Sequence, residues 1–305
     1  MAIPIIDLHC DLLLYLAMNP ERDPFDPISR CSAHQLKQGN VQKQVLAIFA
    51  ETNPYSLAFG LQELDIFLKL SQKYPEHFSD NIIPAFENAS AFCLETEPLT
   101  SVFSRLDNIL SQITPLYISL TWNGENRFGG GCGSKKGLKP DGEELLSFLS
   151  NKNIAIDLSH ASDLLAHDIL NTIDRKNLSL KILASHSNFR SVHSKERNVP
   201  DEIAREIIAR SGLIGLVFYS QFLKSPSQLI EHIEYGLKLG GSDALAFGAD
   251  FFCIADHPDL QSSPGYFDEM SDASKYPQIL ESLSLPADLL EKIASRNAQR
   301  FMQNA

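Results

Sequence analysis

The chain has 305 residues, of which 44% are hydrophobic and 21% are charged, as is usual for a soluble globular protein. Its net charge of −12 excludes the broad basic surface that nucleic-acid binding needs, so no nucleic-acid partner is expected. No stretch approaches the roughly 20 apolar residues that span a bilayer, so no membrane partner is expected either.

The two ends and the cysteines predict a cytoplasmic protein. Met1 is followed almost at once by an apolar strand-like run, without the charged and apolar regions of a signal peptide. Residues 296–301 resemble a helix end and not a lipid-anchor signal. Five cysteines, odd in number and without CxxC spacing, are typical of reduced thiols.

Eight short runs rich in Val, Ile, Leu and Phe stand between turn signals along the chain. Nearly continuous apolar runs of this length suit strands that are buried on both faces, as in parallel sheets. The predicted strands are 3–8, 45–50, 82–86, 116–121, 154–158, 180–184, 213–219 and 244–248.

Helix-like stretches lie between most of these strands. Residues 57–74 have apolar positions at helical spacing, residues 200–210 open with a proline and acids, and residues 289–302 close the chain. Eight alternating units favour a closed (β/α)8 barrel of TIM type, in one domain spanning residues 1–305. An open doubly wound sheet is the alternative, although no GxGxxG follows any strand.

The ends of the predicted strands carry the residues of chemical interest, and barrel enzymes place their catalytic groups there. Strand 1 ends in His9-Cys10-Asp11, where residues i and i+2 point to one side, so that His9 and Asp11 can converge while Cys10 points away. Glu87 directly follows strand 3 and has two oxygens with which to bridge two ions. Alone, each would be read as a surface turn or a solvated acid.

Strands 5 and 6 each end in Ser-His, at His160 and His186, and strand 8 ends at Asp250. A single histidine of this kind is usually structural, but two on consecutive strands beside the residues of strands 1 and 3 predict a metal site. Imidazole and carboxylate ligands suit zinc, and an open coordination position lets the ion activate water. Asp250, if it is not a ligand, is placed to accept a proton.

These stretches together resemble the membrane or renal dipeptidases, peptidase family M19, and in particular their soluble microbial relatives. The resemblance covers the chain nearly end to end and in the expected order. The matching stretches are 6–11, 86–88, 120–123, 156–163, 185–187, 197–201, 247–251 and 274–277.

The resemblance implies a metallo-dependent hydrolase barrel with two zinc ions and a hydroxide that bridges them. It implies that His9 and Asp11 bind one zinc ion, that His160 and His186 bind the other, and that Glu87 binds both. Substrate contacts are implied for Arg197, Tyr219 and Asp250, and Asp250 is also implied in proton transfer. The implied substrates are dipeptides, including those with a D-residue on the C-terminal side, and a homodimer is compatible with the family.

The chain departs from the family after strand 4. Vertebrate members have a substrate-binding histidine there, and many microbial members have Trp-Asn-His, whereas this chain has Trp122-Asn123-Gly124. Loss of one oxyanion donor typically costs about 100- to 1000-fold in turnover. Either another group, such as Asn123 or Arg127, takes this role, or the substrate differs.

Three hypotheses about function follow. The first is a zinc dipeptidase, the second is a related two-zinc hydrolase of another C–N or lactone bond, and the third is an inactive binding protein. The full set of candidate site residues argues against the third. The remaining histidines are expected on the surface, with His193 the nearest to the site; they are His34, His77, His167, His193, His232 and His257.

Overall fold

A computed structural model describes residues 3–257, Leu260 and residues 265–303. Eight parallel strands hydrogen-bond in chain order, and the last pairs with the first, which closes the sheet. The predicted (β/α)8 barrel is therefore confirmed. The strands are β1 Ile5–Cys10, β2 Val41–Phe49, β3 Ile82–Glu87, β4 Tyr117–Ser119, β5 Ala155–Asp157, β6 Ile182–Ala184, β7 Leu213–Leu216 and β8 Leu245–Phe247.

Helices alternate with these strands around the outside of the barrel. Three helical regions were predicted, and each is helical within two residues of its predicted start. The helices are α1 Leu12–Met18, α2 Ala33–Gln38, α3 Ser56–Lys73, α4 Leu99–Leu110, α5 Pro140–Leu149, α6 Asp163–Lys176, α7 Asp201–Ala209, α8 Gln228–Lys238, α9 Tyr276–Leu283, α10 Ala287–Glu291 and α11 Asn297–Gln303, with a π turn at Lys292–Arg296 between the last two. No helix of the described ranges is long and apolar enough to cross a bilayer.

Three strands end two or three residues from their predicted ends, and one of them, β4, stops at Ser119 and not at residue 121. β1 continues to Cys10, so His9 lies within the strand and not after it. The strand predicted over 213–219 stops at Leu216, because the next backbone N–H, that of Val217, donates to the side chain of Asn188 at 3.2 Å. This side-chain bond replaces the strand ladder and frees the segment that follows to turn over the barrel mouth.

The barrel interior is packed with side chains and is not a pore. Small and large apolar residues from successive strands form one buried cluster, which the C-terminal helix α11 closes at the lower end with Phe301. The inward residues include Leu8, Val45, Ala85, Tyr117, Ala155, Leu183, Leu213 and Ala246. A filled lower barrel leaves only the carboxyl ends of the strands for a site.

Two glycines bring β6, β7 and β8 close together directly below the mouth. A Cβ placed at Gly215 or at Gly248 would lie 1.9 Å from the carbonyl oxygen of Ser185 in either case. No real Cβ approaches backbone so closely, so both positions require glycine for packing. Ser185 precedes His186, and the glycines thereby fix the height of that histidine in the barrel.

Candidate active site

The barrel brings all six predicted rim residues to one cavity region at the carboxyl ends of its strands. His9 lies in β1, Asp11 follows it directly, and Glu87 is the last residue of β3. The other three follow β5, β6 and β8 by two or three residues; they are His160, His186 and Asp250. The cavity above them has a volume of about 420 Å³.

Glu87 lies between two groups of potential ligands. Its Oε2 is 3.3 Å from Nε2 of His9, which in turn is 3.6 Å from Oδ1 of Asp11. Its Oε1 is 2.7 Å from Nε2 of His160 and 3.5 Å from Nε2 of His186. The two carboxylate oxygens therefore face different groups, as a bridging ligand requires.

The other ring nitrogen of each histidine has a partner that fixes its tautomer. Nδ1 of His9 is 2.7 Å from the hydroxyl of Tyr117, which donates its own proton to the carbonyl of Leu8. Nδ1 of His160 is 2.9 Å from Oδ1 of Asn123, which can only accept. Both Nδ1 atoms therefore carry a proton, which leaves Nε2 of each ring as the atom that can bind a cation.

His186 follows the same rule through a serine. Its Nδ1 is 2.7 Å from Oγ of Ser185, and that hydroxyl donates to Asp157 at 2.9 Å. Its Nε2 then faces Nε2 of His160 at 2.9 Å, which sets two lone pairs against each other. A cation between them resolves this repulsion, so the donor set fits a metal ion.

Two buried atoms on the other side of Glu87 point to the same conclusion. Nε2 of His9 and Oδ1 of Asp11 have no hydrogen-bond partner among the described residues, although both are buried. Buried polar atoms are normally paired, and an orphaned nitrogen and carboxylate oxygen facing each other are the ligands that a divalent cation takes. The residues present therefore fit two ions, one on each side of Glu87.

Burial and neighbouring charge set the protonation states of these ligands. Burial lowers the pKa of His160 to about 4 and that of His186 well below its usual value, so both imidazoles are neutral, as metal ligands must be. Burial opposes ionisation of Glu87, but the nearby His9 and His160 outweigh it and hold its pKa well below the usual range. For His9 burial is outweighed by Tyr117, Glu87 and Asp11, which raise its pKa, so a cation at its Nε2 would replace a proton there.

Asp250 extends over the His9 side of the site in an unusual backbone conformation. Its φ of 63° lies in the left-handed region, which costs an aspartate roughly 1 kcal/mol and is common at active sites. Its Oδ1 is 3.6 Å from Nε2 of His9. Burial, with the nearby carboxylates of Asp11 and Glu87, raises its pKa well above the usual value. Such a carboxylate is a stronger base, and its distance from His9 is also compatible with a ligand.

Below the site, Asp157 holds three strands at once. Its two oxygens accept from the hydroxyl of Ser119 at 2.7 Å, from the hydroxyl and N–H of Ser159 at 2.9 and 3.2 Å, and from the hydroxyl and N–H of Ser185 at 2.9 and 2.7 Å. Through Ser185 it orients the ring of His186. Sequence reasoning missed this residue, because an aspartate inside an apolar strand carries no distinguishing pattern.

Asp157→Asn is expected to weaken divalent-metal binding about 10- to 100-fold, the usual cost of losing a partner of a metal-bound histidine. An amide nitrogen cannot accept the hydroxyl protons of both Ser119 and Ser185, so Ser185 turns away from His186. Competition between the protein and a chelator for Zn²⁺ measures the effect.

Ser119→Ala is the matched control, since it removes one donor to Asp157 but none from the path to His186. It should leave metal affinity within a few-fold of wild type. Equal affinities for the Asp157→Asn protein and the wild type, with both folded, would show that Asp157 supports the barrel alone.

Arg197 lies at the rim, where its guanidinium faces the cavity. Nη1 donates to Oγ of Ser187 at 2.7 Å and Nη2 donates to the carbonyl of His186 at 2.9 Å, while the buried Nε donates to none of the described residues. The alternative in which Arg197 caps the following helix is wrong, since its recorded bonds are to the loop after β6 and α7 has no side-chain cap. Among the described residues that line this cavity, Arg197 is the one lysine or arginine.

The wall of the cavity beside Arg197 is largely aromatic, and the guanidinium lies over the ring of Phe222, 5.8 Å from its centroid. Tyr219, buried and three residues beyond β7, lines it with Phe222 and Phe252, whose ring centroids lie 5.8 and 5.0 Å from that of Tyr219. Tyr219 therefore lines the cavity, as predicted, and it does so from the turn that follows the early end of β7.

The loop after β4 answers part of the question that the missing histidine raised. Asn123 lines the cavity, but its Oδ1 is engaged with His160 and with the thiol of Cys132. Arg127 was the other candidate, and that prediction is wrong: it donates to Asp141 and to the carbonyls of Leu94 and Glu97, away from the cavity. Trp122 occupies the rim itself.

Two of the six remaining histidines differ from expectation. His232 was expected on the surface but is fully buried, because its Nδ1 accepts the backbone N–H of Phe189 at 3.2 Å, and burial lowers its pKa to about 3. His257 lines the cavity, which no sequence signal indicated. His193 lies outside the cavity lining. The other three are at least partly exposed, as expected; they are His34, His77 and His167.

A (β/α)8 barrel with histidines and carboxylates converging on its upper rim defines the class of metal-dependent hydrolases. The particular family follows from comparison with known proteins. The family model described as membrane dipeptidase, peptidase family M19, matches residues 1–305, and the chain belongs to this family. The predicted enzyme class, a metallodipeptidase, is therefore confirmed at the level of the family.

Individual relatives agree with this assignment. Two uncharacterized dipeptidases of Schizosaccharomyces pombe are each 26% identical, in alignments that cover 97% of this chain and 79% or 80% of theirs. A metallopeptidase of Rhodobacter sphaeroides, solved with a phosphinate mimic of L-Ala-D-Ala, has the same fold with a TM-score of 0.79 at 18% identity, over 99% of both chains. The probable dipeptidase PvdM of Pseudomonas aeruginosa gives 0.77 at 16% identity, over 99% of this chain and 94% of its own.

Proposed function

We propose that this protein is a two-zinc dipeptidase that hydrolyses the peptide bond of free dipeptides, including those whose C-terminal residue has the D configuration. The observation that carries the proposal is the position of Glu87, whose two oxygens face two separate groups of ligands. One zinc ion would be held by His9 and Asp11, the other by His160 and His186, and Glu87 would bind both. When bound, the ions supply Lewis-acid activation of water and of the scissile carbonyl.

The side chain of Asp250 would transfer the proton from the attacking water to the departing nitrogen. Water adds to the peptide carbonyl carbon, the C–N bond breaks, and the departing nitrogen must gain a proton that the water loses. Oδ1 of Asp250 lies over the His9 side of the site, and its raised pKa suits a group that first accepts this proton and then gives it up. The same carboxylate would attract the ammonium group of the substrate.

Arg197 would bind the other end of the substrate. A guanidinium can hold a carboxylate through two parallel hydrogen bonds, and Nε of Arg197 has no partner among the described residues. With Asp250 at one end and Arg197 at the other, the site would measure the length of a dipeptide. A longer peptide would place its carboxylate beyond this arginine.

The relatives support the substrate class. The phosphinate bound to the Rhodobacter sphaeroides protein mimics L-Ala-D-Ala, and that protein shares this fold. A second candidate function is hydrolysis of another C–N or lactone bond at the same metal site, and it is favoured by the run Trp122-Asn123-Gly124, which lacks the histidine expected there from the family. A homodimer and a cytoplasmic location stay predictions of the sequence.

Arg197→Lys is expected to raise KM for dipeptides by about 10- to 100-fold, because an ammonium group cannot reproduce a two-point grip on a carboxylate. A C-terminally amidated dipeptide should be a poor substrate of the wild type and should lose little more in the variant. Steady-state kinetics on the acid and amide forms of one dipeptide measure both effects.

Arg210→Lys is the control, since Arg210 pairs with Asp174 and Glu206 at the end of α7 and does not line the active-site cavity. Its KM should equal that of the wild type. Equal cleavage of the acid and the amide by the wild type would contradict the role of Arg197 and would favour the second candidate function.

A further inference from the structure

A second cavity of about 660 Å³ adjoins the active-site cavity. The two share five lining residues, so that they form one continuous cleft. The shared residues are Leu14, Phe49, Trp122, Asn123 and His257. We call the second cavity the annex and define it by Met18, Glu51, Tyr55 and Phe59, which line it but not the active-site cavity.

Two large apolar side chains on the wall of the annex are unusually exposed to solvent. Tyr55 is 78% exposed and Met18 is 50% exposed, and both lie on its wall. At the junction with the active site, Trp122 packs edge-on against Phe49 with ring centroids 5.2 Å apart. A contiguous apolar surface that continues into a cavity is typical of a ligand-binding groove, and not of scattered surface residues.

The location of the annex selects one end of a dipeptide. Arg197, Tyr219 and Phe222 line the active-site cavity but not the annex, so the annex opens on the side away from the arginine that would hold the carboxylate. The annex joins the active-site cavity at His257, whose ring packs on that of Phe252, two residues from Asp250, with centroids 5.1 Å apart. The group nearest to the annex is then the amino-terminal residue of the substrate. Its backbone would remain at the metal ligands, and its side chain would extend past Trp122.

The charges of the annex narrow the chemistry of that side chain. Its charged lining residues among those described are Glu51 and Asp256, and Asp256 is already paired with Arg22 at 2.6 Å. No lysine or arginine of the described ranges lines it. An acidic side chain would therefore meet like charge, with His257 as the one imidazole of the described lining and no lysine or arginine to pair with, whereas a large apolar or aromatic side chain would cover Tyr55, Met18 and Phe59.

We propose that the annex is a specificity site for the side chain of the substrate's amino-terminal residue, and that it selects large aromatic or aliphatic groups. This inference rests on the proposed dipeptidase function and specifies its substrate class. Trp122 then acts as an apolar wall at the entrance of the annex.

The test is a series of dipeptides that share a C-terminal D-Ala, with Ala, Leu, Phe, Trp or Glu at the amino terminus, and a parallel series that ends in L-Ala. We expect the wild type to have a kcat/KM about 10- to 100-fold higher for the Phe and Trp members than for the Ala member. The Glu member should fall below the Ala member. The double variant Met18→Ala/Tyr55→Ala should reduce the aromatic advantage to a few-fold and leave the kcat/KM of the Ala member unchanged.

Both replaced residues are at least half exposed, so the variant is expected to fold. The matched control is Ile28→Ala/Leu164→Ala, which removes two comparably exposed apolar side chains, 59% and 49%, from outside the annex. Its preference should equal that of the wild type.

Each other outcome overturns the inference. Equal kcat/KM for the Ala and Phe members, with both cleaved, refutes the annex but leaves the dipeptidase function intact. No cleavage of any member refutes the dipeptidase function and the annex with it. A wild-type dimer that the Met18→Ala/Tyr55→Ala variant converts to monomer, with an unchanged substrate profile, makes this surface an interface between two copies of the chain.

Discussion

Asp250→Asn is expected to lower kcat for dipeptides by about 100- to 10,000-fold, the usual contribution of a positioned acid–base group. The amide keeps the shape of the carboxylate but cannot accept the proton that the attacking water loses. If Asp250 acts on the proton alone, zinc content should stay at the wild-type value, because all five proposed zinc ligands are unchanged. They are His9, Asp11, Glu87, His160 and His186. Metal analysis and turnover of the same preparation provide the measurement.

Asp65→Asn is the control for the same chemical change at an exposed site, on the outward face of α3, where the side chain is 57% exposed. Its turnover should equal that of the wild type. The contrary result is a loss of zinc in proportion to the loss of activity in Asp250→Asn. Asp250 would then be a ligand on the His9 side, where its Oδ1 lies 3.6 Å from Nε2.

Glu87→Ala is expected to remove both zinc ions and with them nearly all activity. The carboxylate is shared, so its loss takes one ligand from each ion. The lone pairs of His160 and His186 then face each other with no cation between them. The protein should also lose the stabilisation that bound metal gives, which is about 2.7 kcal/mol when free zinc exceeds Kd by 100-fold. Zinc stoichiometry and thermal unfolding with and without added zinc measure both effects.

His186→Ala distinguishes a shared ligand from an unshared one. It removes a ligand on the Oε1 side alone, so it should cost one ion and leave the other bound to His9, Asp11 and Glu87. If Glu87→Ala also keeps one ion, then Glu87 is a terminal ligand and the two-sided arrangement of its oxygens does not bridge.

The sequence located the rim residues because parallel strands align their carboxyl ends. A His or Asp directly after an apolar run must therefore reach the same edge, whichever loop follows. This is why the sequence alone could place His160 and His186 at the same rim, although they are 26 residues apart. The helices were predictable for a similar reason, since apolar spacing reports which face packs on the barrel.

The partners of the rim residues could not be predicted in this way. Tyr117 bonds to His9 across the barrel, although the two residues are 108 positions apart in the chain. Asn123 bonds to His160 from a loop whose path depends on its own tertiary contacts. His232 was misplaced for the same reason, because the N–H of Phe189 that its ring accepts from is 43 residues away in the chain. Tertiary contacts of this kind leave no local pattern in the sequence.

Gly215 and Gly248 have no side chain and take no part in the proposed chemistry, yet both press on the carbonyl of Ser185. An alanine at either position would have to displace this carbonyl and, with it, the neighbouring His186. A screen that scores variants only by catalytic activity would consequently rank two inert positions beside the metal ligands. Residual activity alone would then be a poor guide to which residues touch the substrate, and the outline of the site would be drawn too large on the side of β7 and β8.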